Sequence, residues 1–399
     1  IQFAEIYDPE TARWTRTAPM LNPRYAHTAT LLNDGTVLVC GGFGASGVTG
    51  GSGESTSGDS LPLAAVERYS PVTGTWTVME PMNQTHVNHT ATLLPDGQVL
   101  IADGLGLIDD EEKTLNSVEW FDPATGSWTT GNAGHPRFSA SATLLTDGRI
   151  LLYGGEVITR ESGLSPQFSA DLLDPATGNT DRVAEGARFW HTATLLSDGT
   201  VLLVGGGMAQ SFISVPENVT TWFENTRDER FIPATGQRQV TAPMSIRRLG
   251  HTATLLPDGT VLIAGGNFYV ETQTPYLQLP AQDSLVSTER YQPLPVGPDG
   301  AASGSWSNEA NLLEARGAHT ATLLQDGTVL VAGGGNYSTG EVFDSAERFY
   351  PNLPSLGGCL VPLAVGAAVA GGGLFAHRLL RGRRGGSPDR DTQPGCVVK

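Results

Sequence analysis

Arginine and histidine recur at a fixed spacing along this chain. One position reads His27, His89, Ala140, His191, His251 and His319, and three residues before it stand Arg24, His86, Arg137, Arg188, Arg248 and Arg316. Guanidinium groups recognise carboxylates and other anions through paired N–H donors. The chain carries a formal net charge of -17, so arginines gathered on one face would be a distinctive anion-binding patch. Arg24, Arg137, Arg188, Arg248 and Arg316 are therefore the candidate ligand-binding residues. The alternative for so regular a position is that each arginine bonds neighbouring backbone or an acidic loop. The histidines suggest a metal, but equivalent positions of a ring of repeats do not converge on one point as a metal requires. A hydrogen-bonded core histidine is the simpler reading. No metal or cofactor is expected.

The remaining chemistry-bearing residues are few. Cysteine occurs at Cys40, Cys359 and Cys396, which allows no disulfide framework in the main body. The acidic run at 109–112 lacks the alternate spacing and turn glycine of a calcium loop and reads as a solvated charge run. Nucleophile-elbow, zinc-protease, Walker A and Cys-x-x-Cys motifs do not occur. The acidic balance opposes binding to nucleic acid.

The elements that must position these residues are repeats. HTATLLNDGTVLVCGG at 27–42 returns with small changes at 89–104, 140–155, 191–206, 251–266 and 319–334. Each copy predicts a hairpin of two strands, A and B, around a two-residue Asp-Gly turn. Between copies lies a second unit, as in VERYSPVTGTWTVMEPM at 66–82. It predicts strands C and D around a Pro-x-Thr-Gly turn, with Trp14, Trp76, Trp128 and Trp306 packing between neighbours. With 50 glycines, 25 prolines and only 16% charged residues, the composition favours short strands and turns over helices. Four strands per unit of roughly 50 residues describe the blade of a β-propeller.

The succession R-x-x-H-T-A, D-G, G-G and Y-D-P-x-T-G-x-W resembles kelch repeats, in the variety common in bacterial exported proteins, over residues 1–352. The resemblance implies an all-β kelch-type propeller of four-stranded blades. Six hairpins predict six blades. A C strand at each end of the body leaves one to spare, and seven blades would follow if a further A–B hairpin preceded Ile1. The chain opens partway into the repeat, which reads as a processed product or a fragment. The likeness extends distantly to galactose oxidase, whose propeller carries a copper-binding Tyr-His pair and a tyrosine crosslinked to cysteine. Here the matching residues are Trp190-His191, with tryptophan where a ligand tyrosine would stand.

Antiparallel strands place the A–B and C–D turns on one face and the longer D–A and B–C connections on the other. Long loops on a rigid scaffold commonly carry binding. After the propeller, residues 356–376 are uncharged, and residues 377–399 hold six basic and two acidic residues. A membrane-crossing or sorting-tail helix over 353–376 with a basic cytoplasmic tail is expected. The Gly358-Cys359 pair resembles the anchoring site of some Gram-negative sorting tails. The expected function is a non-enzymatic propeller, displayed on a bacterial cell surface, that binds a protein or a glycan through its long-loop face. The alternatives are a galactose-oxidase-like copper oxidase or other propeller enzyme, and a purely structural surface protein.

Overall fold

A computed structural model describes residues 2–44, 60–159, 163–167, 169–185, 188–212, 219–224, 227–270, 281–295, 297, 303–351 and 361–363. They build six four-stranded antiparallel sheets in the order A-B-C-D, with no helix. The first sheet comprises Thr28–Leu31, Val37–Cys40, Val66–Ser70 and Thr75–Val78. The A strands of the next five are Thr90–Leu93, Ser141–Leu144, Thr192–Leu195, Thr252–Leu255 and Thr320–Leu323. Successive A strands pack side by side, so they form the inner wall.

The B strands hold the structure together. Val99–Ala102, Ile150–Tyr153, Val201–Val204 and Val261–Ala264 are buried along their whole length, because each sheet is covered on both faces by its neighbours. Leu38, Cys40 and Val66 of the first sheet pack on Val99, Ile101 and Phe121 of the second. Equivalent apolar layers join each later sheet to the next. Aliphatic side chains buried this completely contribute about 1.5–3 kcal/mol each.

The A–B turn differs from the two-residue turn expected from Asp-Gly. Leu32 N donates to Thr36 O and Gly35 N to Leu32 O, which closes a three-residue loop. Only Gly35 has positive φ, at 82°. The aspartate instead accepts from Thr36 N at 3.0 Å and from its hydroxyl, so it stabilises the turn through its side chain.

Between B and C strands the chain forms two-stranded ribbons, including Leu105–Ile108 with Glu111–Thr114 and Glu156–Thr159 with Gly163–Pro166. Neighbouring ribbons touch, and Ile158 N donates to Thr114 Oγ1 at 2.8 Å. The long-loop face is thus an ordered crown where it is described. The Gly/Ser-rich residues 45–59 lie outside the described residues.

A separate two-stranded sheet, Glu5–Asp8 with Arg13–Arg16, repeats the outer C–D pair. Its Tyr7 and Trp14 rings lie 5.0 Å apart, as do Tyr69 and Trp76. The helix expected over 353–376 is not supported. Val361–Leu363 instead pairs with Ala346–Phe349 as the D strand of the sixth sheet. The backbone groups along the outer edge of Ala346–Phe349 need a partner, and an apolar segment a few residues downstream supplies one. Among the described residues no helix is long and apolar enough to cross a membrane. Cys359 and the basic tail lie outside the described residues.

Candidate functional site

The five repeat arginines do not form an exposed anion-binding patch. Arg24, Arg137, Arg188, Arg248 and Arg316 are all buried. Arg24 Nη1 donates to Gly41 O at 2.9 Å and Ala65 O at 2.7 Å, and Nη2 to Glu67 Oε1 at 2.7 Å. Arg188–Glu229, Arg248–Glu289 and Arg316–Glu347 repeat this pairing at 2.8, 2.6 and 3.0 Å, and Arg137 meets Asp171. Each guanidinium ties the end of a B strand to the acidic residue of its C strand. The structural alternative describes these residues, because a buried guanidinium surrounded by its own acceptors offers no donor to a ligand.

The histidines are struts between sheets. His89 Nε2 meets Thr28 Oγ1 at 2.8 Å, His191 meets Ser141 at 2.8 Å, His251 meets Thr192 at 2.9 Å and His319 meets Thr252 at 3.0 Å. Burial and the adjacent arginines push His191 and His319 down to about 3 and His27 to about 4. They are neutral at pH 7. The acidic residues at 109–112 form an exposed ribbon tip, with Lys113 Nζ 3.6 Å from both Asp109 and Glu111. Among the described residues no three His, Cys, Asp or Glu side chains converge as a metal site would require.

Because six copies share one geometry, departures from the repeat reveal what the fold does not dictate. One group surrounds Asp103, which replaces the first glycine of Gly-Gly. At the equivalent Gly41 a Cβ would lie 2.3 Å from His86 O and 3.0 Å from the next copy's His89 Cε1. At Asp103 the next copy has Ala140 in place of that histidine. Both carboxylate oxygens are buried without a hydrogen bond, and Arg137 Nε lies 3.5 Å away. Burial pushes this carboxyl up to about 8, against the pull of Arg137. Arg137 is already paired with Asp171, so Asp103 is an unpaired buried carboxyl that keeps its proton at neutral pH. It is inaccessible and serves no ligand.

The second group is accessible. The residue before each repeat histidine adopts left-handed backbone: Ala26, Asn88, Ser139, Trp190, Gly250 and Ala318 have φ between 51° and 60°. These residues form a hydrogen-bonded belt. Asn88 N donates to Ala26 O, Ser139 N to Asn88 O, Gly250 N to Trp190 O and Ala318 N to Gly250 O, at 2.9–3.3 Å. Three members are Ala or Gly. The larger three, Asn88, Ser139 and Trp190, occupy consecutive copies and are partly exposed. Asparagine tolerates left-handed backbone, but a bulky side chain there is an outlier. Trp190 packs edge-on against Phe189 at 5.4 Å. Immediately before the belt, Val87, Phe138, Phe189, Leu249 and Gly317 bridge to the first residues of the ribbons. Sequence reasoning passed over this belt in favour of arginine. The signal was available, since both middle positions of R-x-x-H vary among the copies and only this one mixes Ala and Gly with Trp.

The chain is 29% identical to an F-box/kelch-repeat protein of Arabidopsis thaliana over 223 residues, covering 49% of this chain and 45% of that protein. It is 24% identical to the kelch-like protein terF of Aspergillus terreus, covering 86% and 68%. Among solved structures, that of YjhT superposes with a TM-score of 0.57 at 14% identity, over 86% of this chain and 98% of that one. The chain is a kelch-repeat β-propeller. No protein-family model matches it. The propeller spans less than half the length of several curated relatives it matches.

A distant likeness to oxidases is also present. Galactose oxidase of Gibberella zeae is 24% identical over 72% of this propeller and 41% of that enzyme. A fungal alcohol oxidase solved in complex with copper superposes with a TM-score of 0.58 at 16% identity, over 84% and 64% of the two chains. Among the described residues, those at the matched position do not fit a copper–radical centre. Trp190 stands where a ligand tyrosine would be, and His191 Nε2 is bonded to Ser141. Cys40 is buried in the apolar layer between the first and second sheets, where burial pushes its thiol up to about 12.

Proposed function

We propose that this kelch-repeat propeller is a non-enzymatic binding module whose partner is a protein, held on the ribbon face around Asn88, Ser139 and Trp190. One observation carries the reading. A tryptophan occupies a left-handed backbone position that another copy fills with glycine, and strain of this kind concentrates at functional sites. Tryptophan is also the side chain most often found at the energetic centre of protein interfaces. Kelch-repeat proteins generally mediate protein binding, which supports a protein over a glycan. Display outside a membrane is carried only by the sequence at Cys359 and residues 377–399, and protease treatment of whole cells would test it.

The binding test is a peptide array and a glycan array probed with the purified protein and with Trp190→Gly. Peptide hits that Trp190→Gly abolishes are expected. Hits on glycans alone would replace the protein partner by a carbohydrate, and hits unaffected by Trp190→Gly would move the site elsewhere. The likeness to the oxidases favours a second reading, a propeller oxidase. Copper-dependent peroxide release with primary alcohols would establish it.

A further inference from the structure

The belt of left-handed residues has glycine at one place, and an unused donor lies behind it. Gly250 follows Trp190 in the belt and donates its N–H to the Trp190 carbonyl at 2.9 Å. A Cβ added at Gly250 would lie 3.5 Å from Asn267 Nδ2 and 3.8 Å from Ala318 N. Apart from its chain neighbours, no other heavy atom of the described residues comes within 4 Å of that point. Gly250 is partly exposed, and in the other five copies the belt residue carries a side chain. The glycine therefore leaves a notch in the ribbon face, with two nitrogens at its floor. Ala318 N–H is already used, because it donates to Gly250 O at 2.9 Å. Asn267 Nδ2 is not.

Asn267 is itself a departure from the repeat. It opens the fifth ribbon, Asn267–Val270 with Ala281–Ser284. The other copies have Phe43, Leu105, Glu156, Gly207 and Gly335 at this bridging position. The Asn267 side chain is fully buried, and its neighbours fix the orientation of its amide. Ser284 Oγ accepts from Tyr337 N at 2.9 Å. The hydroxyl hydrogen then needs an acceptor of its own, and Asn267 Oδ1 at 2.7 Å supplies it. With Oδ1 turned to Ser284, Nδ2 is turned to Gly250 and Gly317. It has no hydrogen-bond partner among the described residues. Buried donors in folded proteins are nearly always paired. A donor held in one orientation behind an accessible notch therefore points to an acceptor that arrives from outside.

We propose that the Gly250 notch is a subsite for an uncharged amide carbonyl of the partner, which accepts from Asn267 Nδ2 while Trp190 packs on the group beside it. The proposal deepens the reading of the ribbon face as a protein-binding surface and rests on it. A carbonyl suits the notch better than a carboxylate does. A carboxylate would exchange its hydration for a single neutral donor, and the net charge of -17 opposes its approach. A peptide segment supplies such a carbonyl from its backbone or from an Asn or Gln side chain.

The test uses the 399-residue protein with N-methylacetamide as the probe and acetate as the control, followed by NMR of the asparagine side-chain amides. Saturable shifts of the Asn267 Nδ2 hydrogens are expected with N-methylacetamide and not with acetate. Asn267→Leu, which installs the residue that the second copy has as Leu105, identifies the signal by its loss. Gly250→Ala fills the notch with a residue that Ala26 and Ala318 already place on the same left-handed backbone, and it should abolish the shift. Array peptides that need Trp190 should lose affinity by about tenfold in either variant, the worth of one hydrogen bond. Absent shifts, equal shifts with acetate, or shifts that survive Gly250→Ala would overturn the proposal. Peptide binding that needs Trp190 and ignores both variants would overturn the notch and leave the binding face standing. Shifts that meet expectation without any peptide hit would keep the notch and remove the protein partner.

Discussion

The Arg248 guanidinium and the Glu289 carboxylate lie 2.6 Å apart with both side chains buried. Glu289 also accepts from Ser245 N at 2.7 Å, and Arg248 also donates to Gly265 O and Ser287 O. One ion pair thus joins three backbone segments of the fifth sheet. Its equivalents recur around the ring, so the regular arginine spacing reports construction of the fold.

Arg248→Ala should therefore cost about 3–5 kcal/mol, because it strands a buried carboxylate. Arg182→Ala, which removes an exposed pair with Glu185, should cost no more than about 1 kcal/mol. Urea denaturation of both variants checks the contrast. Equal, small losses would mean that the buried pair contributes little.

Protonation of the histidines should make the fold acid-sensitive before its carboxylates titrate. His191 and His319 are held near 3 and His27 near 4, against about 6.5 in the unfolded chain. Between those values the unfolded state binds more protons, so stability is full above pH 6.5 and falls as pH drops. Tm measured from pH 7.5 to 5 should decline, and His191→Asn should lessen the decline. A flat profile over that range would contradict the neutral-strut assignment.

Asp103 should act in the opposite sense. Its carboxyl is held near 8 in the fold and near 3.9 when unfolded. The folded state keeps the proton between these values, so this contribution is lost as pH rises toward 8. Asp103→Gly restores the repeat's own residue at φ 63° and removes an unsatisfied buried group that costs about 1–3 kcal/mol. The variant should be more stable, and by more at pH 8 than at pH 5. A gain that does not depend on pH would assign the effect to backbone alone.

How much of this was legible in the sequence differs by element. Strand order followed from the repeat, because six copies impose one register. The turn type did not, because Asp-Gly serves both the expected turn and the observed three-residue loop with only its glycine at positive φ. The fate of the arginines depended on acidic partners in the C strands. Glu67, Glu119, Asp171, Glu229, Glu289 and Glu347 recur as regularly as the arginines and carried the missing signal. Val361–Leu363 reads as part of an apolar helix when taken alone. It becomes a strand because the neighbouring sheet offers an open edge, which is tertiary information. The contact of Arg348 with Pro9 joins residues from the two ends of the body and has no local signature.

Trp190 gives the sharpest separation of stability from function. Replacing a buried aromatic residue with a small one ordinarily costs about 3–5 kcal/mol. Trp190 is only partly buried, so that full cost does not apply, and the change to glycine removes left-handed strain of about 1–2 kcal/mol. It forfeits the contact with Phe189, worth about 0.5–1.5 kcal/mol, and adds a glycine entropy cost of about 0.5–1 kcal/mol. These effects nearly cancel, so Trp190→Gly should lie within about 1 kcal/mol of the parent protein in chemical denaturation while losing partner binding. Gly250→Trp would place the same strain in a copy that has no need of it. That variant should lose stability and gain no binding. A loss above about 3 kcal/mol in Trp190→Gly would instead identify the tryptophan as core and remove it from the binding face.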